Sequence, residues 1–432
     1  MAFTPSSLPR RLRAKAGSLR TASREQGAAD TPGEHDSRAA GAVVRVKRLF
    51  AAETSTFFVI LGTTLFLVVF GLVMVLSSSS VEQYVATHDF FGAFLRQGIF
   101  AAIGVPLMLI ASRISIATWK RRAWAILGTA IVLQLLVFSP LGVTIGGNRN
   151  WIHIGSFSAQ PSEGLKLALA VWLGMILVKK GDKLDDWRQV AVPLVPVVVV
   201  ALGLVVRGGD LGTTIIMLLL VFAAVFFAGL KMRFFLAPLA VMAVAIPIIT
   251  MSASSRTSRI SAWLAGCQGS DSYQSTCWQT THGLWALASG GVFGVGLGNS
   301  KAKWSWLPEA DNDFIFAIVG EELGLIGAIV VLGLFIVLAV SFVKIIRRSD
   351  DAFVRITTGA IMTWIIGQAL VNIAVVLGLL PVLGVPLPLI SAGGSSLIFT
   401  LIGIGVVLSF VRQHAADESP ARVVRERVGS LR

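Results

Sequence analysis

A chain of 432 residues that is 55% hydrophobic and only 14% charged, with a mean hydropathy of +0.78, carries more apolar surface than a soluble protein of this size can bury. That excludes a soluble enzyme or binding module, and unbroken apolar runs exclude a transmembrane barrel, whose strands would alternate. Much of the net charge of +14 lies in residues 1–48, a Ser/Ala/Gly-rich stretch holding Arg10, Arg11, Arg13, Lys15, Arg20, Arg24, Arg38, Arg45, Lys47 and Arg48. Without an apolar period it reads as a disordered cytoplasmic tail beside anionic lipid, and not as a nucleic-acid-binding arm.

The remaining chain predicts an all-α polytopic integral membrane protein of about ten transmembrane helices. A bilayer core of about 30 Å takes about 20 helical residues. Runs that meet this fall near 57–77, 92–112, 121–140, 162–179, 189–206, 211–228, 232–250, 314–343, 354–378 and 395–411. The first is long and lacks a small-residue cleavage site, so it reads as a retained helix and not a signal peptide. Arg113, Lys120, Arg121 and Arg122 follow the second run; Lys179, Lys180, Lys183 and Arg188 follow the fourth; Lys231 and Arg233 follow the sixth. Lys344, Arg347, Arg348 and Arg355 follow the eighth, and Arg412 the tenth, whereas 78–91 and 379–394 hold neither Lys nor Arg. This alternation puts both termini in the cytoplasm. The domain plan is a tail at 1–48, a membrane domain at 49–411 and a cytoplasmic C-terminal tail at 412–432.

Between the seventh and eighth runs lies a large extracytoplasmic loop, 251–313, with Trp263, Trp278, Trp285, Trp304 and Trp306. Loops longer than about 15 residues are usually functional or disordered, and aromatic residues favour the membrane interface. Its apolar stretch Gly283–Val295 is long enough for a helix lying on or dipping into the bilayer. Both cysteines of the chain, Cys267 and Cys277, fall here. An oxidising compartment favours a disulfide between them, worth about 3 kcal/mol; His282 alone supplies too few further ligands for zinc.

Ionisable groups within spans cost at least about 2.5 kcal/mol and face partners or water-filled cavities. Gln160-Pro161-Ser162-Glu163-Gly164-Leu165-Lys166 opens the fourth span, and three-residue spacing puts Glu163 and Lys166 on one face, where they can pair. A helix start with Pro and an acid explains Glu163 but not Lys166. Asp210, in the sequence Gly209-Asp210-Leu211-Gly212-Thr213, reads as the N-cap of the sixth span. Arg256 and Arg259, three apart, suit a phosphate or pyrophosphate; interfacial snorkelling is the alternative. Before the eighth span stands Leu307-Pro308-Glu309-Ala310-Asp311-Asn312-Asp313, where Asp313 on residue type alone is most economically an N-cap. Glu321 and Glu322 lie inside that span. Pro386-Leu387-Pro388-Leu389-Ile390-Ser391-Ala392-Gly393-Gly394-Ser395-Ser396 has the Pro/Gly-rich form that lets backbone amides approach an anion, and Gln368 and Asn372 add polar groups one turn apart. The glycine run Gly294-Val295-Gly296-Leu297-Gly298 has no βαβ context and is not read as a nucleotide loop.

Together these segments resemble the SEDS family of cell-wall polymerases, the FtsW/RodA proteins, over about 57–411. The resemblance rests on QPSE..K at 160–166, GDLGT at 209–213, the long outer loop, LPEA..DFIFAI.GEELG at 307–324 and PLPLISAGGSS at 386–396. Gly71–Ser80 and GEELG are more similar to the division-type branch than to the elongation-type branch. The resemblance implies a peptidoglycan glycosyltransferase of the bacterial cytoplasmic membrane, at the division septum. Such an enzyme joins lipid II units at the outer face and releases undecaprenyl pyrophosphate. It places the family's essential aspartate on Asp313, as general base. Gln160, Glu163, Lys166, Asp210, Arg256, Arg259, Glu309, Glu322, Ser391, Gly393, Gly394, Ser395 and Ser396 become candidate substrate-binding residues. Arg256, Arg259 and Lys166 are candidates to meet the pyrophosphate. A divalent cation, Mg or Mn, could assist, with ligands not located. Partners implied are a class B penicillin-binding transpeptidase and other division proteins. The chain departs from the family where His-Thr before the aspartate becomes Asp311-Asn312. It departs again where arginine before Trp151 becomes Asn150 (with Arg149 one residue earlier), and where tyrosine becomes Ala392. A lipid II flippase would need polar groups through both leaflets, whereas these cluster at outer helix ends. A non-catalytic division scaffold would tolerate loss of Asp313 and Lys166.

Overall fold

The computed structural model describes residues 54–145, 147–155, 157–181, 186–231, 235, 254–267, 277–304 and 306–417. The tail at 1–48, the predicted span at 232–250 apart from residue 235, and the end of the C-terminal tail, 418–432, lie outside the described residues. Helix α1 spans Ser55–Thr87, α2 Gly92–Ala111 and α3 Ile116–Leu136. Then come α4 Pro161–Lys179, α5 Trp187–Arg207, α6 Leu211–Phe227, α7 Ser254–Leu264 and α8 Trp278–Gly290. The last three are α9 Ile315–Arg348, α10 Ala352–Val376 and α11 Gly394–Asp417. Starts follow capping chemistry: Ser115 accepts from the Thr118 amide, Asp186 from Arg188, Asp210 from Thr213 and Asp351 from Phe353, each relieving an amide the helix leaves unpaired.

Among the described residues, seven helices are long and apolar enough to cross a membrane: α1, α2, α4, α5, α9, α10 and α11. Helix α6 is apolar but only 17 residues long, and α3 carries Lys120, Arg121 and Arg122 in its second turn. The architecture is thus helical and polytopic, and the described residues hold seven such helices toward the predicted ten. Helix α11 runs on to Asp417, through residues read as the start of the tail.

Helix α4 is the axis of the bundle. Every residue from Pro161 to Leu177 except Gly164 is buried, and α3, α5, α6, α10 and α11 all pack on it. Helix α9 packs on α1, α8 and α10, and α11 on α2. A helix with protein on all sides can hold ionisable groups that a lipid-facing one cannot, which is why the Glu163–Lys166 pair sits on α4.

Two features lie beyond the helical reading. Strands β1 Gly142–Ile145, β2 Asn148–Ile154 and β3 Phe157–Ala159 form a small antiparallel sheet in the order β1-β2-β3, bulged between Val143 and Thr144. It delivers the chain from α3 to the mouth of α4. Helix α9 is broken at Gly324, whose φ of 67° and ψ of −165° leave the helical region. The freed groups bond to the glycine run: the amides of Val295 and Gly296 donate to the carbonyls of Glu321 and Glu322, and those of Leu325 and Ile326 donate to Gly291 and Val292. Interrupted backbone at membrane depth needs such partners. The apolar glycine segment therefore serves as a backbone clasp on α9.

Candidate active site

The stretch 307–314 meets the segment between α10 and α11 at one end of the bundle. Glu309 adopts a φ of 57°, turning the chain so that the Asn312 and Phe314 amides both donate to its carbonyl. The N-cap of α9 is therefore Phe314, with no side-chain cap. This corrects the expectation that Asp313 caps the helix. Its carboxyl is left buried, 6% exposed, with Oδ1 unpartnered. Its carbonyl accepts from Asn372 Nδ2 at 2.7 Å, and the same amide donates to the Val385 carbonyl at 2.8 Å. A Cβ on Gly384 would lie 4.0 Å from Asp313 Oδ2, so the carboxyl faces the 384–385 backbone.

The segment 386–396 is stitched to the same stretch. Ser391 Oγ donates to the Asn312 carbonyl at 2.6 Å and accepts from the Leu387 amide at 2.7 Å. The Ala392 amide donates to the Asp311 carbonyl, and Gln97 Nε2 donates to the Ser391 carbonyl. The amides of Ser391, Ala392 and Gly393 all have internal acceptors, so this part of the segment is closed to an anion. Gly394 is needed for packing, since a Cβ there would come within 2.3 Å of the Phe100 ring. Gly393 has only ordinary contact around it. Ser395 Oγ accepts from the Gln160 amide at 3.1 Å, and Ser396 is buried at the start of α11.

Charge concentrates at this end. Burial raises the Asp313 carboxyl to about 7, the Glu309 carboxylate pushes the same way, and its own backbone amide and Arg259 pull it back, with Asp311 adding a smaller upward push. Asp311 is raised to about 6 by burial, then by Glu82 and Glu309, against the pull of its own amide and Arg96. Glu82 on α1 and Arg96 on α2 thus belong to the site. Nothing in the sequence near them marks a link to Asp311, and only packing reveals it. Arg259 is exposed on α7; the Arg256 side chain lies outside the described residues. Glu309 is exposed and accepts from Asn312 Nδ2 at 3.1 Å.

Next to this cluster lies a deeper polar layer. Lys166 Nζ is 2.9 Å from Glu163 Oε1, both nearly inaccessible, as their spacing predicts. It also donates to Gln368 Oε1 at 2.8 Å and lies over the Trp364 ring. Gln368 Nε2 donates to the Pro386 carbonyl, so Lys166 is tied through one amide to the wall around Asp313. Asp210 caps α6 as expected and accepts from Gln160 Nε2 at 2.7 Å and Asn150 Nδ2 at 3.2 Å. Arg149 instead donates to the Val137 and Ser139 carbonyls at the end of α3; Asn150 is the residue that turns inward.

Glu322 does not join Asp313. It accepts from Ser77 Oγ at 2.7 Å and lies 3.6 Å from Lys303 Nζ. Its neighbour Glu321 accepts from Ser300 Oγ and the Lys301 amide. Both carboxylates bind the loop after α8 to α9, which corrects the substrate-binding assignment of Glu322 to an architectural one. Cys267 and Cys277 form the expected disulfide. Among the described residues, no group of three or more His, Cys, Asp or Glu side chains converges to hold a metal ion. The carboxylates at this end do not by themselves fit a divalent cation.

The family model for FtsW/RodA/SpoVE cell cycle proteins matches residues 57–416. A relative from Mycobacterium tuberculosis, named as a probable peptidoglycan glycosyltransferase FtsW, is 38% identical over 376 residues, 87% of this chain and 70% of its own. One of the same name from Marinobacter nauticus is 37% identical over 387 residues, 88% of this chain and 94% of its own. Among solved structures, one of a peptidoglycan synthase complex that coordinates polymerization and crosslinking superposes with a TM-score of 0.68 at 25% identity, over 83% of this chain and 98% of that one. The rod shape determining protein RodA of Thermus thermophilus does so with a TM-score of 0.61 at 26% identity, over 82% and 96%.

Proposed function

Because the chain belongs to the FtsW/RodA/SpoVE family of membrane-embedded cell cycle proteins, we propose that it is a peptidoglycan glycosyltransferase that polymerises lipid II with Asp313 as general base. The observation that carries this reading is the buried Asp313 carboxyl, with Oδ1 unpartnered, beside polar groups from α4, α7 and α10. A group raised to about 7 is matched to taking a proton near neutral pH. The acceptor sugar hydroxyl gives its proton to Asp313 as its oxygen bonds the donor's anomeric carbon. The bond from that carbon to the pyrophosphate breaks, and undecaprenyl pyrophosphate leaves with the electron pair.

The leaving group needs positive charge. Lys166 is already neutralised by Glu163 and holds the wall in place. Among the described residues, Arg259 and Arg96, both exposed and both acting on the site carboxylates, are the cations to meet a phosphate. No step is assigned to a divalent cation. The basic loops support a site at the outer face with both termini inside. The working partner is a class B penicillin-binding transpeptidase, in keeping with the synthase complex that this fold resembles, and the place of action is the division septum.

Purified protein, with its transpeptidase partner and lipid II in detergent, separates the readings because detergent removes the two leaflets. Polymer ladders with undecaprenyl pyrophosphate release are expected. A flippase or scaffold yields no polymer from a folded complex.

A further inference from the structure

Helix α9 is longer than a membrane requires. Its 34 residues would reach about 51 Å at 1.5 Å per residue, against a hydrocarbon core of about 30 Å. The part beyond the Gly324 break, Leu325 to Arg348, spans that core alone and ends on Arg347 and Arg348. With Arg347 and Arg348 placed at the far surface, the hydrocarbon ends near the break, and the turns between Asp313 and Leu323 stand above it.

The clasp is bonded to α9 at this level, through Gly291 and Val292 to Leu325 and Ile326 and through Val295 and Gly296 to Glu321 and Glu322. From Gly283 to Ser300 the chain has no charged residue. Its side chains turn away from the protein: Phe293 is 81% exposed, Leu297 55%, Val292 53% and Val295 40%. They continue the row formed by Leu325, Ile326 and Ile329, also exposed, on a helix whose outer surface lipid must cover. Water is a poor neighbour for such a run, whereas the acyl region is a good one.

We infer that the loop Val292–Leu297 is a membrane-inserted anchor that occupies the acyl chains of the leaflet nearest Asp313. Because the loop is hydrogen-bonded to α9 two turns past Asp313, its insertion fixes the height of that carboxyl above the hydrocarbon. This rests on the membrane reading of α9 and not on the polymerase chemistry.

Site-directed spin labelling tests it directly. Both native cysteines are bonded to one another and the chain has no others, so an added cysteine takes the nitroxide alone. Phe293→Cys and Val292→Cys would be labelled, with lipid-facing Ile329→Cys and exposed Asp89→Cys as references. Each goes singly into phospholipid nanodiscs holding one copy of the full chain without partner. Power saturation with oxygen and with a water-soluble nickel chelate then reads depth. At residues 292 and 293 oxygen access should exceed nickel access severalfold, with a depth between the Asp89 and Ile329 references. Nickel access equal to that at residue 89 would overturn the anchor and place the loop in water. A label immobilised and shielded from both reagents would overturn it as well, since protein rather than lipid would then cover the loop. All four positions are exposed, so the variants should fold; matched elution of the discs checks this.

Discussion

Asp313 shows how one turn of backbone decides what a carboxylate does. Had Glu309 kept a helical φ, Asp313 would have met the free amides of α9 as a cap. With the turn at Glu309 it is buried instead and raised to about 7. The direction of the pH dependence follows. A base works deprotonated, and about one-tenth of such a group is ionised at pH 6 against about nine-tenths at pH 8. Polymerisation should rise with pH through about 7, and a flat profile from pH 5.5 to 8.5 would contradict this assignment. Glu309 is the largest charge pushing Asp313 upward. Glu309→Gln should therefore shift the rising limb to lower pH, raising the ratio of the rate at pH 6 to that at pH 8. A limb that stays put would remove Glu309 from the electrostatics of the site.

The elements around Asp313 are held by buried polar pairs and backbone bonds whose loss has predictable cost. Lys166→Met leaves Glu163 charged and alone on the most buried helix, which should cost about 3–5 kcal/mol. The double variant Glu163→Gln/Lys166→Met should recover much of the thermal stability while the activity stays low. Recovery of neither, or of both, would show that the pair does not act as described. In α9, a Cβ on Gly324 would lie 2.4 Å from both the Gly294 nitrogen and the Val292 oxygen, backbone atoms that cannot rotate away. Gly324→Ala should lower the thermal midpoint sharply, by about 1–3 kcal/mol of strain plus the clasp's bonds. Gly333→Ala on the same helix has nothing within 4 Å and should be neutral or slightly stabilising. Equal midpoints for the two variants would mean that the clasp does not hold α9.

Taken as a whole, the molecule was legible where the cause is local. Apolar runs gave the helices, three-residue spacing gave the Glu163–Lys166 pair, an Asp before an apolar run gave the α6 cap, and two cysteines in one loop gave the disulfide. The small sheet was missed because strands of three to seven residues between long helices leave little pattern. Gly324 looks like many other glycines in apolar runs, and only the partner backbone at 291–296 makes it a break. Glu82 and Arg96 enter the site, and Glu322 leaves it, through packing between residues far apart in the chain. The family motifs singled out Asp313, although the same residues read alone pointed to a cap. The most direct test of that centre compares wild type with Asp313→Asn in lipid II polymerisation, with folding and partner binding matched. A loss of about 10²-fold or more is the predicted result. Equal polymer from both proteins would contradict it, and Asp311 would then be the first residue to replace.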